Sequence, residues 1–556
     1  MIRIDKKQEG TTLQELVQQT GPYPYKILLA RVNGLDTELT ETVSAGDEVE
    51  FLDMRDHSAG LVYQRMLSIL YLTAVNSVYR SKGIENVRAI IDNSLNQGFF
   101  TRLEGAGEIT EETVAEIETC MRRMVEADLP LRKDVLTREK AIRRCNSLGY
   151  HEQAELIAEI KKPGLSLPLY NIETGDDEHG EAPRYYLFGP MAPSLGCIGL
   201  FELMKYHDAI LLRFPLYSNP DVIPPYSDDA NLYETFEAEH EWLELLHTNY
   251  LADMNRIISR GGTKDLILLS EALHEKKIAE IADDIYKKGK RIILVAGPSS
   301  SGKTTFANRL CTQLRVNGLQ PVCIGTDDYF INRSDMPFDE NGEQNFEDLE
   351  AVDTELLSRN LNDLLAGKEV DLPEFDFIEG VKRFGRRIMN IEANQPIVIE
   401  GIHALNDRLT EQVDASEKYK VYISPLTQLN IDTANRMPTT DARMIRRMVR
   451  DNKFRGHSAT KTIMEWPKVR AGEHKNIFPF SREADVVLNS TLVYETCLLK
   501  KHVMPLLEEI PKDDPAYSEA KRIMSILWFF DIIDGDEMVP NNSILKEFIG
   551  GSVFTE

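Results

Sequence analysis

Eight residues constrain this chain more than any others. Gly297-Pro298-Ser299-Ser300-Ser301-Gly302-Lys303-Thr304 fits the pattern G-x-x-x-x-G-K-[ST] at every position. The run before it, Arg291-Ile292-Ile293-Leu294-Val295-Ala296, reads as a buried strand. The run after it, Thr305-Phe306-Ala307-Asn308-Arg309-Leu310, reads as a helix start. Strand, glycine loop and helix aim backbone N–H groups and a helix N-terminus at an anion. Gly297, Ser299, Ser300, Ser301, Gly302, Lys303, Thr304 and Thr305 are therefore expected to cradle a triphosphate. Lys303 is expected to reach the outer phosphates, and the Thr304 hydroxyl to hold Mg²⁺.

Length and charge narrow the classes. The chain has 556 residues, room for three or four domains of ~100–200 residues each. Its formal net charge of -26 argues against a protein that coats nucleic acid through a basic surface. The N-terminus, Met1-Ile2-Arg3-Ile4-Asp5-Lys6-Lys7, lacks the apolar core of a signal peptide. No apolar run approaches the ~18 residues that cross a bilayer, so no membrane partner is expected. The six cysteines are scattered without a C-x-x-C pair. That spacing predicts buried thiols in a reducing, cytoplasmic setting and no structural zinc.

The pattern divides the chain into five stretches. Residues 1–53 read as a small β-rich unit, with a strand running into the Asn33-Gly34 turn and another following Gly46-Asp47. Residues 54–250 carry helical spacing over 60–83 and 109–128, then a mixed region broken by Pro and Gly. Residues 251–289 read as a helical linker with Gly261-Gly262 as its hinge. Residues 290–500 read as an α/β domain with strands at 291–296, 321–326, 396–400 and 419–423. Alternating elements of this kind imply a parallel sheet with helices on both faces. Residues 501–556 read as a helical tail.

Three further features choose the chemistry. The second strand ends at Thr326-Asp327-Asp328-Tyr329-Phe330. Carboxylates there lie at the crevice where open α/β sheets bind ligands. Asp327 is the residue expected to orient an acceptor hydroxyl and take its proton. Pro396-Ile397-Val398-Ile399-Glu400-Gly401 ends in an acid placed to hold Mg²⁺ through water. Arg443, Arg446, Arg447 and Arg450 cluster at i, i+3 and i+4 spacings on one helix, and guanidinium forks suit a transferred phosphoryl group.

Residues 290–495 resemble the uridine kinase and phosphoribulokinase family. The resemblance rests on Gly297–Thr305, Thr326–Phe330, Leu372-Pro373-Glu374-Phe375-Asp376-Phe377, Ile399-Glu400-Gly401-Ile402, Arg446–Asp451 and Ala484-Asp485-Val486-Val487-Leu488, in that order. It implies transfer of the ATP γ-phosphate to a sugar hydroxyl, in uridine kinases the 5′-hydroxyl of a nucleoside such as uridine or cytidine. It implies ATP and Mg²⁺ as cofactors and Asp327, Lys303 and Arg450 as catalytic residues. Asp376, Arg447, Tyr329 and His457 fall on the substrate side, and Arg450 and Arg455 on the phosphate side. Self-association is also implied. His457 stands where the family tends to carry a second arginine, and the 377–383 segment departs from the family's histidine and serine-arginine pattern.

The N-terminal half resembles a different family. Val32-Asn33-Gly34 through Phe51 is similar to the small TGS domain that opens threonyl-tRNA synthetases, and 54–215 resemble their editing domain. The editing site of that family uses two histidines, a cysteine and a later histidine. Here His57 remains, while Leu61, Leu187 and Met191 occupy the other positions. Leucine offers no lone pair and methionine is a weak ligand for a borderline metal, so zinc binding and editing are not expected. His57 is expected to be structural. Weak RNA or tRNA contact through this half stays open, as does a nucleotide-switched, RNA-associated regulator in place of a metabolic enzyme. A GTPase is disfavoured because no Asn-Lys-x-Asp motif follows the strands. Other sugar-like acceptors, such as phosphoribulose or pantothenate, also stay open.

Overall fold

The computed structural model describes the chain except for residues 85, 161–163, 175–183, 337, 339–343, 345–347, 377–378, 428 and 555–556. Phe377 and Ile378 of the 377–383 segment therefore lie outside the described residues.

The expected parallel sheet is present. Its strands are β1 (Ile292–Ala296), β2 (Val322–Gly325), β3 (Ile397–Glu400), β4 (Lys418–Ser424) and β5 (Val486–Asn489). They pair in the order β2-β3-β1-β4-β5, every neighbour parallel. The strand periodicity of two explains how both faces are buried. Ile292, Leu294 and Ala296 of β1 face one apolar core with Ile397 and Ile399 of β3 and Leu357, Leu361 and Leu364 of the helix Thr354–Leu365. Ile293 and Val295 face the other. That second face is covered by α1 (Thr263–Lys288), through Ile278, Ile281 and Ile285, and by α2 (Lys303–Val316), through Phe306, Leu310 and Leu314.

Two expectations are corrected here. Residues 263–288 are one helix packed by a single face on the kinase sheet rather than a linker, because their apolar stripe at i, i+3, i+4 and i+7 packs under β1. Gly261, with φ +82°, makes the turn before it. Residues 501–556 are only partly helical. Past Tyr517–Leu527 they run through turns and end in the short helix Lys546–Ile549. Ile544, Leu545 and Phe548 are 0% exposed and share one core with the kinase residues Ile445 and Met448. The tail is therefore part of the domain.

The first half builds three antiparallel sheets. Strands Ile2–Arg3, Ile27–Val32, Leu35–Thr37 and Glu48–Asp53 form the first. The helix His57–Ser81, capped by Asp56, and the helix Glu111–Glu126, capped by Thr110, lie where helical spacing predicts them. His57 packs its ring edge-to-face on Tyr217 at 5.5 Å, while Leu187 and Met191 are each 2% exposed within the apolar core. Among the described residues no helix is long and apolar enough to cross a membrane.

His274 on α1 gives a pH prediction. It is 4% exposed, its Nε2 lies 3.1 Å from the Thr491 carbonyl, and burial pushes its pKa down to about 3. Below an unfolded value of about 6.5 the unfolded chain gains a proton that the folded chain refuses. Stability from this group is therefore full above that pH and falls as pH drops toward the folded value. His274→Gln is expected to remove up to about 1.4 kcal/mol of acid destabilisation per pH unit below about 6.5. Denaturant titrations at pH 7 and pH 5 check it.

Candidate active site

The phosphate loop is shaped by its glycines. A Cβ on Gly297 would lie 2.0 Å from the Ile423 carbonyl oxygen of the adjacent strand β4. Gly302 adopts φ +85° and caps α2, a conformation open to glycine and costly for other residues. Ser300 also takes a positive φ, 60°. Such a loop turns consecutive amides inward, and the start of α2 adds its own unsatisfied N–H groups. Gly297→Ala is expected to cost about 1–3 kcal/mol of stability by overpacking and to weaken ATP binding in parallel. Denaturant unfolding and nucleotide titration of the variant check both.

Lys303 and Thr304 open α2. Lys303 Nζ donates to the Pro298 carbonyl at 3.2 Å, folding across the loop. Burial lowers its pKa, while the charges of Glu400, Asp327 and Glu547 pull it back up. Thr304 Oγ1 donates to Glu400 Oε1 at 3.1 Å, which joins the loop to the end of β3. Burial pushes the Glu400 carboxyl up to about 7, and the neighbouring Asp327 adds to that rise. Gly401 follows it because a Cβ there would lie 1.8 Å from Thr326 Oγ1. Thr304 and Glu400 therefore present two hard oxygen donors side by side, the donor chemistry Mg²⁺ takes.

Asp327 sits one residue into the turn Thr326–Tyr329 that follows β2. Asp327 is exposed at the cleft mouth, yet desolvation by the protein packed around it raises its pKa, and Lys303, Arg455 and Arg450 lower it, in that order. The structure thus brings Asp327, Glu400 and Lys303 to one mouth of the sheet, with two arginines facing them.

Helix α3 (Thr439–Arg455) corrects the expectation of a four-arginine phosphate face. Its arginines divide. Arg443 and Arg446 are 1% and 0% exposed, each paired with a buried acid. Arg443 pairs with Glu473, Nη1 to Oε2 at 3.0 Å, and Arg446 with Glu495, Nε to Oε1 at 3.0 Å. Both also hold the loop from behind: Arg443 Nε donates to the Ser299 carbonyl at 3.1 Å and Arg446 Nη1 to the Ser300 carbonyl at 3.3 Å. Arg447 Nη1 donates to Ser299 Oγ at 2.9 Å.

Asp451 organises the others. It is 1% exposed and pairs with Arg447 at 3.2 Å, Arg450 at 2.9 Å and Arg455 at 3.3 Å. A single acid at i+4 from Arg447 and i-4 from Arg455 was the available signal for this hub, and sequence reasoning did not use it. Sequence reasoning also missed Glu473, Glu495 and the tail residues Ile544 and Glu547, since no local spacing ties them to the loop.

The substrate-side expectations fare unevenly. Tyr329 is corrected: it is 0% exposed, and its hydroxyl accepts from Asn360 Nδ2 at 3.1 Å within the apolar core. Its ring fills the core behind Asp327 and does not line the cleft. Asp376 accepts from Arg383 Nε at 3.1 Å and from the Glu379 amide at 3.0 Å, on the hairpin formed by Val370–Asp376 and Val381–Met389. His457 follows α3, with its amide on the Asp451 carbonyl at 3.1 Å and Nε2 3.1 Å from Lys461 Nζ. Arg455 is half exposed beside it.

Residues 292–496 match the model of the Phosphoribulokinase / Uridine kinase family. A uridine kinase of Ligilactobacillus salivarius is 34% identical over 199 residues, 35% of this chain and 84% of that protein. A uridine kinase of Staphylococcus epidermidis is 31% identical over 199 residues, 35% of this chain and 86% of that protein. A structure described as a possible uridine kinase from Bacillus stearothermophilus covers 38% of this chain and 97% of its own at 20% identity and a TM-score of 0.27. The identity, and its extent across nearly the whole of these relatives, shows that this chain belongs to the phosphoribulokinase and uridine kinase family and is an ATP-dependent kinase.

Proposed function

We propose that the chain transfers the γ-phosphate of ATP to the 5′-hydroxyl of a nucleoside such as uridine or cytidine. The observation that carries this reading is the carboxylate of Asp327, solvent-accessible just past β2 and set in the fields of Lys303, Arg455 and Arg450. An acceptor base has to stand near the phosphoryl group and stay ionised in a site cut off from water. Cationic neighbours meet that need by favouring the ionised form.

Phosphoryl transfer asks the protein mainly for positioning and charge stabilisation. The amides of 297–305 hold the triphosphate, and Lys303 turns from the Pro298 carbonyl toward its outer oxygens. Asp327 orients the acceptor hydroxyl and takes its proton. Arg450 and Arg455, held in rank with Arg447 by Asp451, face the equatorial oxygens of the group in transit. Thr304 and Glu400 would hold Mg²⁺, which neutralises charge between the outer phosphates. Asp376, Arg447 and His457 are the acceptor-side residues in this reading.

The N-terminal half is read as a module of threonyl-tRNA synthetase type, a TGS-like unit over 1–53 and an editing-like unit after it, without editing chemistry. Among the contacts that link this half to the kinase are two made by the helix Tyr517–Leu527. Arg522 pairs with Asp441 in the first turn of α3 at 2.7 Å, while Ser518, four residues earlier, accepts the Asp36 amide at 3.2 Å.

The test is a panel assay of ATP consumption with nucleosides, ribulose phosphate, pantothenate and bulk tRNA. Stimulation by a pyrimidine nucleoside supports the proposal. Turnover that rises with ribulose phosphate or pantothenate alone moves the acceptor, and turnover that rises with RNA alone replaces the reading with a nucleotide-switched RNA protein.

A further inference from the structure

Glu495, the buried partner of Arg446, also lines a cavity. The other walls come from α1, from the helix Ala230–Leu246 and from the turn that follows β5. The cavity has about 40 Å³ of room, roughly three times what one buried water needs on that measure. Leu243, Met437, Leu492 and Phe530 are buried around it and make it largely apolar.

Two buried polar atoms of the lining residues have no hydrogen-bond partner among the described residues. They are His274 Nδ1 and Thr491 Oγ1. The first has a fixed character. His274 Nε2 lies 3.1 Å from the Thr491 carbonyl, which can only accept, so Nε2 carries the proton. The ring is neutral at pH 7, which leaves Nδ1 a bare lone pair. Thr491 Oγ1 can donate as well as accept. An acceptor and a hydroxyl on touching residues suit a ligand with an N–H beside an acceptor atom. Polar atoms buried without partners cost free energy, so a ligand that satisfies both is favoured.

Charge and size narrow the ligand. Glu239 and Glu495 line the cavity and are taken by Lys277 and Arg446. Among the described residues no lysine or arginine lines it, so an anion would meet two carboxylates and no cation. The room admits one small ring and no nucleotide.

The same turn supports the phosphate loop. Arg446 donates to the Ser490 carbonyl at 2.8 Å and to the Ser300 carbonyl at 3.3 Å. Glu495 accepts from the Leu492 amide at 2.9 Å. A displacement of the turn 490–495 therefore reaches Ser300 through one guanidinium.

We infer that this cavity is an effector site for a small uncharged ring, an azole or cyclic amide with adjacent N–H and acceptor atoms, whose binding alters ATP affinity through the turn 490–495 and Arg446.

Pyrazole, one uncharged ring with N–H beside N, is the probe. Titration of the full chain, followed by tryptophan fluorescence because Trp242 lines the cavity, should saturate in the millimolar range or below. 1-Methylpyrazole, which lacks the donor, and pyrazole-4-carboxylate, an anion, should each bind roughly tenfold more weakly or worse. Saturating pyrazole should shift the Kd for ATP by about fivefold or more, and ATP should shift the Kd for pyrazole by the same factor. Thr491→Val removes the hydroxyl and keeps the backbone carbonyl. It should fold as stably as wild type and bind pyrazole roughly three- to tenfold more weakly. Ser270→Leu fills the cavity from α1 and should abolish pyrazole binding and the ATP response, with ATP itself bound as in wild type. Absence of saturable pyrazole binding, equal binding of the three probes, or an ATP affinity indifferent to bound pyrazole overturns the inference. Binding that survives both Thr491→Val and Ser270→Leu unchanged places pyrazole elsewhere and overturns it too.

Discussion

Asp327→Asn is expected to lower kcat by about 10²–10⁴-fold while ATP binding stays within a few-fold of wild type. The amide keeps the shape of the carboxylate and its place past β2, but it cannot take a proton from an alcohol. The carboxylate also adds to the field that raises the Glu400 carboxyl to about 7, so its removal relieves like-charge repulsion beside the triphosphate. ATP affinity should hold or tighten slightly for that reason. Titration with ATP alone, beside a turnover assay with a nucleoside, separates the two effects. A variant that turns over at the wild-type rate would remove Asp327 from the chemistry. One that fails to bind ATP would make it a structural residue of the loop.

Arg446→Ala is expected to cost about 3–5 kcal/mol of stability and to weaken ATP binding with it. Glu495 pairs with Arg446 and is itself 1% exposed, so the truncation leaves a charge buried without its partner. The same side chain holds the Ser300 and Ser490 carbonyls and lies over Phe548. The loop would lose its rear support at a residue that already carries a positive φ. Denaturant unfolding measures the first effect and nucleotide titration the second. Replacing Arg446 and Glu495 together by apolar residues should recover much of the stability, since the loss lies chiefly in the unpaired charge. An Arg446→Ala chain as stable as wild type would contradict the role given to this pair.

The division between Arg446 and Arg450 shows where sequence reading succeeds and where it stops. The loop 297–304, the strand ends at Asp327 and Glu400 and the parallel sheet were legible because each depends on near neighbours in the chain. Alternation of two marks the strands, and glycines mark the turn. Which arginine of this helix faces the loop mouth and which faces a buried acid depends on distant partners, here Glu473 and Glu495. Local spacing treats all four alike. Tyr329 fails for the same reason: beside Asp327 in sequence, it points the opposite way, into the core with Asn360. The tail reads as a helical appendage because nothing in its local pattern names what it packs against. Its partners on α3 lie about a hundred residues away.

The most direct test of the account follows the label from γ-³²P-ATP in a single turnover with uridine or cytidine. The account predicts that label moves to the nucleoside as its 5′-monophosphate, and that Asp327→Asn abolishes this transfer with ATP still bound. Label released only as inorganic phosphate, at a rate indifferent to any nucleoside, would contradict it.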